Sequence, residues 1–117
     1  MLQPRVVVTG LGAVTPLGLD IPTIWQNLLA GRSGVGLITL FDTSNLDVKI
    51  GAEVKGFDPR SALDNKEVRR TDRFTQFAMA SVRQALDDSG LNLDKIDKLR
   101  TGVIIGTGIG GVSSLIE

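Results

Sequence analysis

Four basic side chains in the middle of the chain have the types and the spacing to bind an acidic or phosphorylated group. We name them the basic cluster: Lys66, Arg69, Arg70 and Arg73. Because most of these residues are three or four positions apart, one helical turn would gather them on one side. Such a face can bind an acidic protein surface or a phosphate. The alternative is a solvated charged surface in which Glu67 and Asp72 neutralise the cluster.

No aromatic side chain is interleaved with the basic cluster, so the pattern does not predict binding to single-stranded nucleic acid. Thirteen basic and thirteen acidic residues give the chain a formal net charge of zero. Nothing in the overall charge therefore favours nucleic acid or a membrane surface as a partner.

A glycine-rich stretch is the second candidate for a site. Residues 106–111 read Gly-Thr-Gly-Ile-Gly-Gly and follow an apolar, β-branched run at 99–105. No Gly-Lys-Ser or Gly-Lys-Thr follows, so the stretch is not a phosphate-binding P-loop. Two interpretations remain open. The glycines allow close packing of backbone against backbone, or they let the chain pass beside a substrate channel into which Ile109 projects.

A third glycine pattern, Gly10-Leu11-Gly12, resembles the start of a dinucleotide-binding turn. The full motif requires a third glycine where this chain has Thr15, and Pro16 follows. A proline there disturbs the helix whose amino terminus would hold the pyrophosphate. A structural turn therefore explains the two glycines better than a stand-alone nucleotide-binding domain does.

Several classes of chemistry are outside the reach of this chain because its 117 residues include no cysteine and no histidine. It has no thiol nucleophile, no imidazole base and no zinc site of the common kinds. Asp87 and Asp88 are interpreted as solvated surface, because nothing beside them suggests a second acid or a metal. We find no signal peptide and no apolar run approaching the roughly 20 residues of a membrane span. A cytoplasmic protein is therefore expected.

Three stretches have the composition of strands. Residues 5–9 and 99–105 are unbroken enough to predict strands buried on both faces, and residues 48–54 alternate like a half-exposed strand. Two helices are predicted between them. One runs over 22–30, capped by Asp20 or Thr23 and ended by Gly31. The longer one runs from Thr71 or Asp72 to position 89, with a continuous apolar stripe.

The order strand, helix, strand, long helix, strand, helix start predicts an α/β fold with a mostly parallel, covered sheet. Three strands and two complete helices cannot cover both faces of a sheet that reads as buried. The last helical pattern, at 112–117, is also short against a typical length of about 11 residues. We therefore expect the chain to be the N-terminal part of a larger protein. The alternative is a small domain with a frayed end.

Several of these motifs together resemble one family, the β-ketoacyl-acyl carrier protein synthases, and most of all synthase II of the bacterial dissociated system. The resemblance covers the whole chain in order. The matching segments are RVVVTGLGAVTPLG at 5–18, WQNLLAGRSG at 25–34, FDTS at 41–44, the helix at 72–90 and GTGIGG at 106–111.

The resemblance implies a thiolase-like αβαβα fold, of which residues 1–117 would be the first part of the N-terminal domain, incomplete in this chain. It implies an enzyme, usually a homodimer and without a cofactor or metal, that condenses an acyl thioester with malonyl-acyl carrier protein in fatty-acid synthesis. A cysteine carries the acyl group, and two histidines with a lysine promote decarboxylation. This chain has neither the nucleophile nor the histidines, so alone it is expected to be inactive.

Two sets of site residues follow from the resemblance. Lys66, Arg69 and Arg70 match a surface that meets the acidic acyl carrier protein. Ile109, with Gly108 beside it, matches a position that limits the acyl pocket. The alternative hypothesis is a non-catalytic α/β module that binds acyl carrier protein through the same basic residues.

Overall fold

The structure, a computed structural model, describes residues 3–116 and is organised around one long helix. In chain order the elements are α1 Ile21–Leu29, β1 Gly36–Leu37, β2 Ile50–Gly51, a 3-10 turn Pro59–Ser61, α2 Asn65–Val68, α3 Arg73–Ser89 and α4 Val112–Ile116. Helix α3 follows Asp72 and ends at Gly90, whose φ of 62° is the left-handed conformation that favours glycine. Both ends agree with the sequence prediction. The predicted last helix extended to Glu117, which lies outside the described residues.

The turn at Gly10 and Gly12 lies directly on α3, backbone against backbone. A methyl group at Gly12 would overlap the carbonyl oxygen of Ser81, and one at Gly10 would overlap that of Ala85. The two glycines therefore serve close helix packing, which supports the interpretation as a structural turn. The dinucleotide alternative fails here, because the space where a phosphate would approach these glycines is filled by the helix.

Polar side chains of α3 complete this contact. Asp88 accepts a hydrogen bond from the backbone N–H of Leu11 at 2.9 Å. The Gln84 amide accepts from the N–H of Ala13 at 3.1 Å and donates to the carbonyl of Leu19 at 2.7 Å. These bonds satisfy backbone groups of a segment that has no regular secondary structure of its own.

Helix α1 begins and ends where its sequence signals predict. The Asp20 carboxylate caps it, accepting from the backbone N–H of Thr23 at 2.8 Å and from the Thr23 hydroxyl at 3.0 Å. These two hydrogen bonds, the backbone one first, lower the pKa of Asp20. Pro22 lies in the first turn, and Gly31 follows the helix with a φ of 63°.

The only strands within the described residues form a two-residue antiparallel pair, with Gly36 opposite Gly51 and Leu37 opposite Ile50. Strand β2 lies inside the predicted 48–54 stretch, while β1 falls where no strand was expected. Glu53 supports the pair by accepting hydrogen bonds from the N–H and hydroxyl of Thr39, both at 2.8 Å, and from the N–H of Leu40 at 3.0 Å. The bond from the Thr39 backbone is the largest cause that lowers the pKa of Glu53.

The two stretches predicted as buried strands, 5–9 and 99–105, have no regular secondary structure and belong to no sheet. No backbone–backbone hydrogen bond within residues 3–116 involves residues 5–9 or 102–106. Their side chains are exposed, Val6 by 94% and Ile104 by 101%. The expected burial is therefore wrong for the chain by itself. A strand is buried only by neighbours on its edges and faces, and the described residues supply none.

The chain is accordingly more open than a compact domain of its size. Its radius of gyration is 17.6 Å, against about 13 Å for a compact domain of the same length. Its accessible surface is 9874 Å², against about 6,200 Å² for a folded monomer of this mass. Buried hydrophobic residues are few in the described part of the chain: Leu63 and Ala80. Among residues 3–116, no helix has the length and apolar character needed to cross a bilayer.

Replacing Gly12 by alanine should lower the stability of the chain by about 1–3 kcal/mol, because the added methyl group forces the 10–13 segment away from α3. Urea unfolding followed by helix circular dichroism measures the change. Gly36→Ala is the matched control, because a methyl group there meets no atom within 4 Å. Equal midpoints for the two variants would contradict the packing described here.

Candidate functional site

The basic cluster lies on a short helix that is held at its first residues by its own side chains. Asp64 caps α2, accepting from the backbone N–H of Lys66 at 2.8 Å and of Glu67 at 2.7 Å. Glu67 returns the interaction by accepting from the N–H of Asp64 at 3.1 Å. This capping box stabilises a helix of four residues that would otherwise be too short to persist. Its signature, Asp-x-x-Glu, is visible in the sequence, although the sequence interpretation of this segment used only the spacing of its basic residues.

Three members of the basic cluster are presented to solvent. Lys66 lies in α2, Arg69 is the residue that ends it, and Arg70 follows in the turn; all three are exposed. We name these three residues the basic patch. Their spacing of three and four positions keeps them on adjoining positions of one turn, as the sequence predicts.

Arg73, the fourth member, is used elsewhere. Its guanidinium donates to the backbone carbonyl of Val54 at 2.8 Å and lies 4.8 Å from the ring centroid of Phe77. The same ring packs edge-on against Phe57, with the centroids 4.9 Å apart. Arg73 therefore joins α3 to the segment after β2 through a hydrogen bond and a cation–π contact, and it is separate from the basic patch.

The acids expected to neutralise the cluster have other partners. Glu67 is engaged in the capping box, and Asp72 accepts a hydrogen bond from the Ser114 hydroxyl at 2.6 Å. Within residues 3–116 the ion pair formed is that of Arg60 with Asp58, at 2.7 Å. The basic patch thus keeps three positive charges without an ion-pair partner in the described part of the chain. This favours the binding interpretation over the neutralised surface.

The glycine-rich turn lies beside the first turn of α3. Gly110 has a φ of 78° and packs near the ring of Phe74, and its N–H bonds to the Thr107 hydroxyl at 3.1 Å. Gly108 is exposed, and the Ile109 side chain is 75% exposed. Ile109 therefore projects away from the packed part of the chain.

An apolar groove of about 300 Å³ separates this turn from α3. Its lining residues are Phe74, Thr75, Ala78, Met79, Ile105, Gly106 and Thr107. Ile109 and Gly108 are next to the groove in sequence but do not line it.

Asp72 is the residue that connects the two candidate sites. It directly precedes α3 and follows the basic patch, yet its carboxylate makes no capping bond to the helix. It bonds to Ser114 of α4 instead, and Gly111 packs so closely on it that a methyl group there would overlap the carboxylate. The sequence predicts Asp72 at the start of the long helix and as a possible partner of the basic cluster, and no local signal predicts its bond to a residue 42 positions away.

No group of three or more histidine, cysteine, aspartate or glutamate side chains within residues 3–116 is arranged to hold a metal ion. The arrangement offers binding surfaces: positive charge on one side of Asp72 and, on the other, an apolar groove with the exposed Ile109 next to it in sequence. Neither side holds a nucleophile.

Comparison with known proteins identifies the family to which this arrangement belongs. The family model described as "Beta-ketoacyl synthase, N-terminal domain" matches residues 3–117. The chain is a member of the β-ketoacyl synthase family. A ketosynthase of the same family from Coxiella burnetii, named 3-oxoacyl-[acyl-carrier-protein] synthase 2, is 54% identical over 112 residues, which are 96% of this chain and 27% of that protein. The chain thus spans about a quarter of the length of this relative.

Solved ketosynthase structures confirm the thiolase-like fold class. The ishigamide ketosynthase/chain length factor superimposes with a TM-score of 0.70 at 34% identity, covering 77% of this chain and 22% of that one. A type II PKS acyl-carrier protein in complex with its ketosynthase, bound to the hexaketide, gives a TM-score of 0.57 at 26% identity, covering 81% and 23%. Each superposition therefore covers more than three quarters of this chain.

Removing the Asp72 carboxylate should free the glycine-rich turn and α4 from α3. In Asp72→Ala we expect the amide of Leu115, which bonds to the Gly111 carbonyl, to exchange with solvent about fivefold faster, the effect of losing one hydrogen bond of ordinary strength. Ser114→Ala should give the same increase, and the double variant no more than either alone. Asp87→Ala is the control. Additive effects of the two substitutions would show that the two side chains act independently.

Proposed function

We propose that the chain is the N-terminal part of the N-terminal domain of a 3-oxoacyl-[acyl-carrier-protein] synthase that extends a fatty acyl chain in the cytoplasm. In the reaction, an enzyme cysteine takes the acyl group from its carrier thioester and releases the carrier thiol. Malonyl-acyl carrier protein then loses carbon dioxide, and the resulting carbanion attacks the acyl-enzyme thioester. A new carbon–carbon bond forms and the cysteine thiolate leaves.

The amino-acid composition limits what this chain can contribute to the reaction. This chain contains no cysteine and no histidine, so the nucleophile and the groups that promote decarboxylation belong to residues outside it. The chain contributes binding. It presents charge to the carrier protein and a glycine-rich turn with an apolar groove to the acyl group, and alone it is inactive.

The large exposed surface supports the proposal that this chain is part of a larger enzyme. The chain carries several thousand Å² more accessible surface than a folded monomer of its mass, and the excess includes the β-branched side chains of residues 5–9 and 99–105. We propose that these two stretches become buried strands of a parallel sheet whose other strands and covering helices come from the rest of the enzyme. The complete enzyme is proposed to be a homodimer.

The unpaired charge of the basic patch is the observation that carries the carrier-protein assignment. Lys66, Arg69 and Arg70 are exposed, and the acids nearest to them in sequence are engaged in other hydrogen bonds. Acyl carrier proteins are acidic, so an unneutralised basic patch gives both attraction during encounter and contacts in the complex. The solved complex of a similar ketosynthase with its acyl-carrier protein supports the choice of this partner.

The glycine-rich turn is proposed to border the acyl pocket. Gly108 lets the backbone pass close to the chain of the substrate, and Ile109 limits the depth available to it. The 75% exposure of Ile109 agrees with a side chain whose contacts come from the substrate and from parts of the enzyme beyond residue 117.

The condensing activity is tested on the natural gene product that contains this chain. Its reading frame should encode, after Glu117, a cysteine at a strand end and two later histidines. The purified protein should release carbon dioxide from malonyl-acyl carrier protein and form a 3-oxoacyl product. A gene product without that cysteine would restrict the function to carrier binding.

Reversing the charges of the basic patch should weaken binding to acyl carrier protein. We expect each of Lys66→Glu, Arg69→Glu and Arg70→Glu to raise the Kd about tenfold at low salt, near the lower end of the effects measured for close charge pairs at interfaces. The slope of log Kd against log salt concentration should also become shallower, because fewer charges take part. Lys98→Glu makes the same change of charge at another exposed lysine. If it weakened binding equally, only the net charge would matter.

Changing the size of Ile109 should shift the preference for acyl length. Ile109→Trp should lower kcat/KM for long acyl thioesters about tenfold relative to short ones, since a filled pocket rejects added methylene groups at about 0.8 kcal/mol each. Ile109→Ala provides the matched change in the opposite direction. A uniform loss of activity over all chain lengths would place Ile109 outside the pocket.

A further inference from the structure

Helix α3 carries two glutamines that each bond to the backbone of a neighbouring loop. Gln84 holds the 13–19 segment, as described above. Gln76 is one of the few buried residues of the described chain, only 9% exposed. Its amide nitrogen donates to the carbonyl of Val68 at 3.1 Å and to that of Thr71 at 2.9 Å. Because a buried amide must have partners, this pair of bonds is a fixed feature of the packing.

The two carbonyls that Gln76 binds lie on either side of the two arginines of the basic patch. Val68 is the last residue of α2 and Thr71 lies three residues on, so Arg69 and Arg70 are the two residues between the bonded carbonyls. Carbonyls at a helix end have no partner within the helix. Here one side chain of α3 provides both donors, and the Thr71 hydroxyl adds a bond to the Glu67 carbonyl at 2.7 Å.

A four-residue helix does not hold its last turn by itself. The capping box fixes the first residues of α2, and Gln76 fixes the residues that follow it. With both in place, the backbone that carries Lys66, Arg69 and Arg70 is ordered before any partner arrives. Because this segment is already ordered, binding does not have to restrict its conformational freedom, a loss of entropy that would otherwise lower the affinity.

We propose that Gln76 is a positioning residue for the recognition of acyl carrier protein: it holds the backbone of Arg69 and Arg70 in the conformation that the acidic partner binds. This rests on the proposed function of the basic patch. Gln76 carries no charge and is buried, so it acts through the two arginines and does not contact the carrier protein.

The role predicts a signature that a loss of charge does not give. Removing the amide leaves all three positive charges in place, so the slope of log Kd against log salt concentration should stay the same while binding weakens at every salt concentration. Charge reversal within the basic patch changes the slope itself. The two kinds of substitution can therefore be told apart in one titration series.

The experiment measures the Kd of the natural gene product for acyl carrier protein over a range of sodium chloride concentrations. Gln76→Met keeps the volume and removes both donors. We expect a Kd about fivefold higher with an unchanged salt slope, the effect of ordering a short loop on binding. Gln84→Met is the matched control, since it breaks the equivalent bonds of α3 to residues 13–19, and its Kd should stay within about twofold of the parent.

Hydrogen exchange provides the second readout. The amides of residues 69–71 should exchange with solvent faster in Gln76→Met than in the parent protein, and at the parent's rate in Gln84→Met. Should Gln76→Met fail to fold, as judged by its helix circular dichroism, Gln76→Asn keeps the polar group but is too short to reach both carbonyls, and the same comparison applies.

The outcomes separate the two proposals. If the parent protein shows no salt-dependent binding to acyl carrier protein, the proposed function of the basic patch is wrong. If the parent binds, the charge reversals in the basic patch weaken binding, and Gln76→Met and Gln84→Met both bind as tightly as the parent, the patch proposal stands and the role of Gln76 is wrong. A shallower salt slope in Gln76→Met would likewise contradict positioning.

Discussion

The structure depends on hydrogen bonds between side chains of helix α3 and the backbone of the loops that pack against it. Most of the chain around α3 has no regular secondary structure, so its N–H and C=O groups need partners that a sheet would otherwise provide. Gln84 and Asp88 supply them for residues 11–19, and Gln76 supplies them for residues 68–71. The polar residues of α3 therefore organise the chain more than its small apolar core does.

Local signals were sufficient to predict α1 and α3, but not the four-residue α2. Helix α3 has a long apolar stripe and a terminal glycine, and α1 has Asp20, Pro22 and Gly31 at the positions where helix ends require them. The prediction of burial for residues 5–9 and 99–105 was wrong for the isolated chain, because burial is a property of the neighbours of a strand. The pair β1 and β2 is so short that no periodicity could reveal Gly36 and Leu37.

At the candidate site, too, the sequence could not predict the features that depend on packing. The basic residues could be located from their spacing, and the family resemblance directed attention to Ile109. The different use of Arg73 could not be foreseen, since it depends on a carbonyl and a ring brought close by the fold. The sequence did not indicate a role for Gln76 either: a glutamine on a helix is usually solvated, and only the packing shows that this one is buried. The roles of Ile109, Gly108 and the basic patch remain predictions.

The contact of the 10–13 segment with α3 has a consequence for how this sequence can change over time. The close approach needs glycine at both positions, because a methyl group at Gly12 or Gly10 would overlap the backbone carbonyl oxygens of Ser81 and Ala85. A larger residue at either glycine drives apart two segments about 70 positions distant in the chain, and no change of side chain on α3 can restore the fit, since the atoms it meets belong to the helix backbone. Among related sequences the two glycines should therefore remain glycine even where the side chains at positions 81 and 85 change.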